Sequence, residues 1–183
     1  MNITEYQKLA RSTAVYPKIN DNLLYPTLGL MGEFGEVAEK LKKAIRDDNY
    51  VITDAKKTDI IKEVGDVYWY IGAVASEAGI ELEEISFNDQ SFHIDNLDIY
   101  QSLFFLHGSV NSIAQHCRII LSGNEYSEFA KPYLKQILQS FVEELNRFLK
   151  KIDINMEQVL ETNIAKLLDR KNRNVLSGSG DNR

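Results

Sequence analysis

Cysteine, proline and long apolar runs are all scarce in this chain of 183 residues. Cys117 is the one cysteine, so no disulfide can form within the chain, and a reducing cytoplasm is the expected compartment. Three prolines leave long stretches free to form helices. Because no run of about eighteen apolar residues occurs and the N-terminus lacks the pattern of a signal peptide, we expect neither a membrane span nor secretion.

Positive charge is also in short supply, since the net charge is −6. A surface that binds nucleic acid needs clustered lysine and arginine, so we expect no nucleic-acid partner. Five of the 21 basic residues nevertheless lie in the last stretch of the chain, residues 166–183. That end suits either a small anionic ligand or a solvated tail.

Apolar residues recur at three- and four-residue spacing along the chain, and no segment alternates as a strand does. The pattern predicts an all-α helical bundle that forms a single domain over residues 1–183. Asp54 or Thr58 is expected to cap the third helix. The predicted helices span residues 3–14, 27–47, 56–78, 97–121, 128–151 and 156–172.

Two pairs of carboxylates flank the apolar stripes of the second and third predicted helices. Glu33 and Glu36 are three residues apart, as are Glu63 and Asp66, so each pair shares one helix face. A solvated helix edge would explain the first pair alone. The uncharged run "VYWYIGAVAS", directly after Asp66, argues against water on that side of the third helix. Burying several like charges is costly unless a cation neutralises them, and ligands with only oxygen donors favour Mg²⁺ first and Mn²⁺ second.

These stretches resemble a known family. "LGLMGEFGEVAEKLKKAIRD" and "EVGDVYWYIGAVASEAGIELEE" are similar to the E-x-x-E…E-x-x-D signature of the MazG-like all-α nucleoside triphosphate pyrophosphatases, and the closing "NIAKLLDRKNRNVLSGSGDNR" resembles their last helix and tail. The resemblance implies Mg²⁺-dependent hydrolysis of a nucleoside or deoxynucleoside triphosphate to the monophosphate and pyrophosphate. Two alternatives stay open: a dUTP-preferring diphosphatase, since the superfamily also holds the dimeric dUTPases, and a non-catalytic helical regulator that binds nucleotide or protein.

Some roles follow from the residues themselves, and the resemblance implies the metal and phosphate contacts. Gly32 and Gly35 would let neighbouring backbone or a phosphate approach the acidic residues closely. Trp69 and Tyr70 are expected either to stack on the base or to pack in the core. A homodimer is the default assembly. The metal would be held, and catalysis carried out, by Glu33, Glu36, Glu63 and Asp66, with Glu36 favoured as the base. The phosphate contacts would come from Asn163, Lys166, Arg170, Arg173 and Arg183.

The two halves of the sequence share an apolar skeleton. "GIELEEI" (79–85) aligns with "DINMEQV" (153–159), and "MGEFGEVAEK" (31–40) aligns with "HGSVNSIAQH" (107–116). The acidic positions lose their charge in the second copy, where they become Ser109, Ser112, Ile137 and Ser140. The pattern predicts a degenerate internal duplication with one active site. The chain would then consist of an acidic metal-binding half (1–86), a degenerate helical half with the closing helix (97–172) and a C-terminal tail (173–183).

Overall fold

The structure is a computed structural model that describes residues 1–83 and 94–176. The predicted all-α fold is confirmed: six α-helices and one short 3₁₀ turn, Ile94–Asn96, make up the regular structure of these residues, which include no strand. None of these helices is long and apolar enough to cross a membrane. The helices are α1 (Ile3–Arg11), α2 (Leu24–Asp47), α3 (Asp54–Glu77), α4 (Ile99–Leu121), α5 (Ser127–Lys150) and α6 (Met156–Asn172).

Side-chain caps explain where three of the helices begin. Asn2 forms a capping box with Glu5 at the start of α1, and Asp98 caps α4, which therefore begins at residue 99 rather than at 97. The expected cap of α3 was wrong, because Thr53 occupies that position and its hydroxyl accepts the Lys56 N–H at 3.3 Å. Thr53 has extended backbone angles, whereas Asp54 already lies within the helix.

The helices form two hairpins around one continuous apolar core. α2 packs against α3, α4 packs against α5, and α2 also packs against α4. The rings of Phe34 and Phe141 lie 6.1 Å apart and join the two hairpins in the core. α1 and α6 pack against α3, so they flank the helix that carries the second acidic pair.

The two hairpins end in the same kind of turn. Gly79 after α3 has φ +69°, and Asp153, which follows α5 74 positions later, has φ +57°. In both turns the next residue donates its N–H to a carbonyl near the helix end, from Ile80 to Ala75 at 2.8 Å and from Ile154 to Leu149 at 3.0 Å. The shared turn supports the predicted duplication, which stays a prediction.

Candidate active site

Three of the four predicted carboxylates lie together where α2 runs beside α3. Glu33, Glu36 and Glu63 each place an oxygen within 4.8 Å of the others. Glu33 and Glu63 are half-buried, while Glu36 is exposed. The three oxygens come from two helices that the core holds against each other, so this donor set could bind a divalent cation such as Mg²⁺.

The surroundings of Glu33 concentrate negative charge. Burial raises the pKa of Glu33 most, the nearby carboxylates of Asp66, Glu36 and Glu63 raise it further, and the Lys166 ammonium lowers it, which together bring the pKa to about 7. Part of this rise thus reflects repulsion between Glu33 and the neighbouring carboxylates. A cation between these oxygens would relieve that repulsion.

Lys40 is a member of the site that the sequence did not single out. Its ammonium lies 2.8 Å from Oε1 of Glu63, and this hydrogen bond is the main reason that the pKa of Lys40 is raised. Lys40 follows Glu33 by seven residues and Glu36 by four, so helical spacing puts all three on one face of α2. From that spacing the sequence could have predicted Lys40 as a member of the site.

Asp66 has different partners from the other three carboxylates. Lys166 Nζ lies 2.7 Å from Oδ1 and 2.8 Å from Oδ2, and Asn163 Nδ2 donates to Oδ1 at 2.8 Å. α6 thus lies against Asp66, and the phosphate-binding role of its side chains stays a prediction. That Asp66 holds the metal together with Glu33, Glu36 and Glu63 stays a prediction.

The predicted arginines separate into three groups. Arg170 is 8 % exposed and lines a cavity next to the acidic residues. Arg173, just past the end of α6, forms an ion pair with Asp169 at 2.7 Å and does not line that cavity. Arg183 lies outside the described residues. Among the described residues, Lys166, Asn163 and Arg170 are therefore the predicted phosphate-binding groups that lie at the site.

A cavity of about 300 Å³ opens beside Glu33 and Asp66, and aromatic rings form much of its wall. Both aromatic residues predicted to bind the base line it, namely Trp69 and Tyr70, and their ring centroids lie 4.8 Å apart in an edge-to-face arrangement. Stacking of these rings on a base stays a prediction. The tyrosines of the connection from α1 and the first turn of α2 complete the wall: these are Tyr16 and Tyr25, which stack at 4.7 Å.

A buried carboxylate anchors the connection between α1 and α2. The Glu77 side chain has no exposed surface and accepts hydrogen bonds from the Tyr16 hydroxyl at 2.6 Å and from the N–H groups of Asn22 at 2.9 Å and Asn20 at 3.1 Å. Arg11 pairs with it at 2.8 Å. Burial raises the pKa of Glu77, but these donors outweigh burial and lower the pKa to about 2. Glu77 thereby fixes one wall of the cavity.

Close packing on glycine occurs elsewhere than at Gly32 and Gly35, and the expected approach of a phosphate to these two stays a prediction. A Cβ on Gly32 or Gly35 would meet no protein atom within 4 Å, so no neighbouring backbone approaches there. Close approach occurs instead at Gly29, where a Cβ would overlap the Tyr70 ring, and at Gly65, where it would lie 2.9 Å from Asn163. Both contacts place residues of the candidate site against the helix backbone.

Part of the chain is similar to known proteins. The family model of the MazG nucleotide pyrophosphohydrolase domain matches residues 24–89, which include α2, α3 and all four predicted carboxylates. The Gene 37 protein of Mycobacterium phage L5 is 40% identical over 91 residues, which are 47% of this chain and 80% of the phage protein.

The chain belongs to the MazG family. Family membership supports nucleotide pyrophosphohydrolase activity in general, and MazG proteins usually use a divalent metal. In this MazG protein the matched segment ends before α4, so the second hairpin and the closing helix lie beyond it. No solved structure matches the chain.

Proposed function

We propose that this MazG protein hydrolyses a nucleoside or deoxynucleoside triphosphate to the monophosphate and pyrophosphate, with Mg²⁺ as the preferred cation. The observation that carries the proposal is the cluster of three carboxylates on α2 and α3, which lies beside an aromatic cavity and faces basic groups from α6. Acidic and basic groups that converge at one cavity suit a ligand that brings both a metal and phosphates.

The carboxylates fit a hard divalent cation. Glu33, Glu36 and Glu63 offer only oxygen donors, and their mutual repulsion favours a cation between them. When bound, Mg²⁺ would neutralise the triphosphate and polarise the phosphoryl group under attack. Glu36 is the exposed member of the cluster, and we assign it the task of orienting the attacking water and accepting its proton.

The α6 side chains serve the phosphates. Asp66 accepts hydrogen bonds from the Lys166 ammonium through both of its carboxylate oxygens. The lysine side chain therefore stays at the acidic site instead of extending into water. Lys166 and Asn163 then donate to phosphate oxygens that the metal does not cover, and Arg170 does so from the cavity wall. The charges of the triphosphate would thus be met by the cation held on α2 and α3 and by the side chains of α6.

The aromatic cavity serves the nucleoside. Its volume of about 300 Å³ is at the lower end of what small-molecule sites enclose. Trp69 and Tyr70 offer ring faces or edges for a base, and stacking of this kind tolerates different bases. The Trp69 N–H donates to the Thr13 hydroxyl at 3.0 Å, which leaves this indole to act through its ring. A homodimer and a cytoplasmic location stay predictions.

Release of pyrophosphate from a panel of NTPs and dNTPs, including dUTP, tests the proposal. Purified protein should release pyrophosphate with Mg²⁺ or Mn²⁺ and none with a chelator. A strong preference for dUTP within the panel would move the assignment to the dUTP-preferring enzymes of the same superfamily. Absence of turnover with every nucleotide, together with a melting temperature that Mg²⁺ and nucleotide leave unchanged, would contradict the enzyme assignment and favour a regulator.

A further inference from the structure

A line of hydrogen bonds runs from the interior of the protein to the acidic site. The hydroxyl of Tyr6 on α1 donates to Asn163 Oδ1 at 2.7 Å, and Asn163 Nδ2 donates to Asp66 Oδ1 at 2.8 Å. Asp66 in turn receives the Lys166 ammonium. Tyr6 is 0 % exposed and Asn163 is 3 % exposed, so the bond between them lies where water does not compete.

The two ends of this line fix the orientation of the Asn163 side-chain amide. An ionised Asp66 can only accept hydrogen bonds, so the amide must present its nitrogen to it. The amide oxygen then points at Tyr6, whose hydroxyl is the donor that it needs. The Gly65 carbonyl, 3.3 Å from the same hydroxyl, can only accept and so also favours a donating Tyr6.

Gly65 keeps the amide at this place. A Cβ on Gly65 would lie 2.9 Å from Cβ and Nδ2 of Asn163, so the asparagine packs directly on the α3 backbone, one residue before Asp66. Without the Tyr6 hydroxyl, the amide oxygen of Asn163 would stay buried with its donor removed, which costs free energy that rotation of the amide would partly recover. Rotation of the amide would break its bond to Asp66.

We propose that Tyr6 is a positioning residue of the active site, which acts through Asn163 to hold Asp66 and Lys166 in register with the phosphates. The proposal rests on the proposed function. Tyr6 belongs neither to the cavity wall nor to the carboxylate cluster, so it would position Asn163 and Lys166 without touching the substrate. Its role is distinct from that of Lys166, which would touch the substrate.

Tyr68 provides a matched control for Tyr6. Both tyrosines are fully buried, and their rings meet edge to face at 6.5 Å, but the Tyr68 hydroxyl has no hydrogen-bond partner within the described part of the chain. With the best substrate of the panel, Tyr6→Phe should lower kcat about tenfold and leave KM within about twofold, because the lost bond aligns groups for the reacting state. Tyr68→Phe should change both constants less than about twofold.

The Asn163 amide reports the same link without turnover. Its NMR resonance, assigned by its loss in Asn163→Ala, should shift in Tyr6→Phe, and its hydrogen exchange should accelerate about tenfold. Tyr68→Phe should leave the shift and the exchange rate as they are. In the Asn163→Ala background, Tyr6→Phe should cause no further fall in kcat.

Equal losses of kcat in the two phenylalanine variants would contradict the proposal, since they would indicate a general effect on the core. An Asn163 amide that keeps its shift and exchange rate in Tyr6→Phe would also contradict it. If the wild-type protein hydrolyses no nucleotide, the proposed function fails, while the amide resonance still decides whether Tyr6 holds Asn163. If Tyr6→Phe does not fold, exchange of the Asn163 amide in the wild-type protein decides: slow exchange supports the link and exchange at the rate of a free side chain overturns it.

Discussion

The acidic face of the first hairpin has a counterpart on the second hairpin that carries no charge. The residues aligned with the four carboxylates line one groove between α4 and α5, together with Gly108, which aligns with Gly32. These residues are Ser109, Ser112, Ile137 and Ser140. Helix packing therefore brings the four positions together in both hairpins, whether or not they carry carboxylates. The geometry follows from the apolar skeleton, and the side chains at the four positions decide whether the face can hold a cation.

The two faces also differ in what covers them. α1 and α6 pack against α3 and supply Tyr6, Asn163 and Lys166 to the acidic site. On the second hairpin, Phe104 beside the serine groove is 76 % exposed, and Tyr133 on α5 is also exposed. An active site of the proposed kind needs the basic groups of a covering helix as well as carboxylates. Only the first hairpin has both among the described residues.

The strongest effect is expected when a carboxylate of the first hairpin is neutralised. Glu63→Gln and Asp66→Asn should each lower kcat about 100-fold or more, because each removes a charge from the metal–phosphate site and leaves the volume unchanged. Pyrophosphate release with saturating Mg²⁺ measures the loss. Full activity in both variants would show that the metal site is wrongly placed.

Two glycines of α2 give a smaller effect, on stability. Gly29→Ala should destabilise the protein by about 1–3 kcal/mol, because its Cβ would overlap the Tyr70 ring. Gly32→Ala in the same helix meets no neighbour and should stabilise α2 by up to about 1 kcal/mol. Denaturant unfolding of both variants measures the difference, and equal destabilisation would mean that Tyr70 does not lie on Gly29.

Acid unfolding tests the side chains that hold the segments preceding the two hairpins. Glu77 holds the segment before α2, and the aligned residue Lys151 holds the segment before α4 by donating to the carbonyls of Asp95 at 3.1 Å and Leu97 at 2.9 Å. The pKa of Glu77 falls from 4.5 to about 2 in the folded protein, so its contribution to stability is fully present above pH 4.5 and is lost as the pH falls toward 2.

Glu77→Gln should therefore remove this part of the pH dependence, while Lys151→Gln should retain it. Melting temperatures measured across that pH range compare the variants. A Glu77→Gln protein with the acid dependence of the wild type would mean that the Glu77 carboxylate is not held by the segment before α2.

The smallest effect is expected in the serine groove. Ser109→Ala, Ser112→Ala and Ser140→Ala should each change kcat less than about twofold, since the groove holds no carboxylate that could bind a cation. The same pyrophosphate assay applies. A loss of about tenfold in any of them would show that the second hairpin takes part in catalysis.

The sequence predicted the features that follow a periodic pattern and missed those that depend on contacts between distant segments. Helical periodicity placed α6 at its observed bounds, and the spacing of the glutamates located the carboxylate cluster. Tyr16 and Tyr25 escaped detection because the connection from α1 into α2 has no period to follow. The role of Glu77 escaped as well, since its partners, two side chains and two backbone N–H groups, lie on distant parts of the chain. Tertiary contacts of this kind leave no local pattern in a sequence.

Titration with Mn²⁺, followed by NMR, shows where a cation binds without requiring turnover. Titration should broaden the backbone resonances around Glu33, Glu36 and Glu63 in a saturable way and leave those around Ser109 and Ser112 sharp. Glu33→Gln combined with Glu63→Gln should abolish the broadening. Saturable broadening centred on the serine groove, or broadening that the double variant leaves intact, would contradict the proposed metal site.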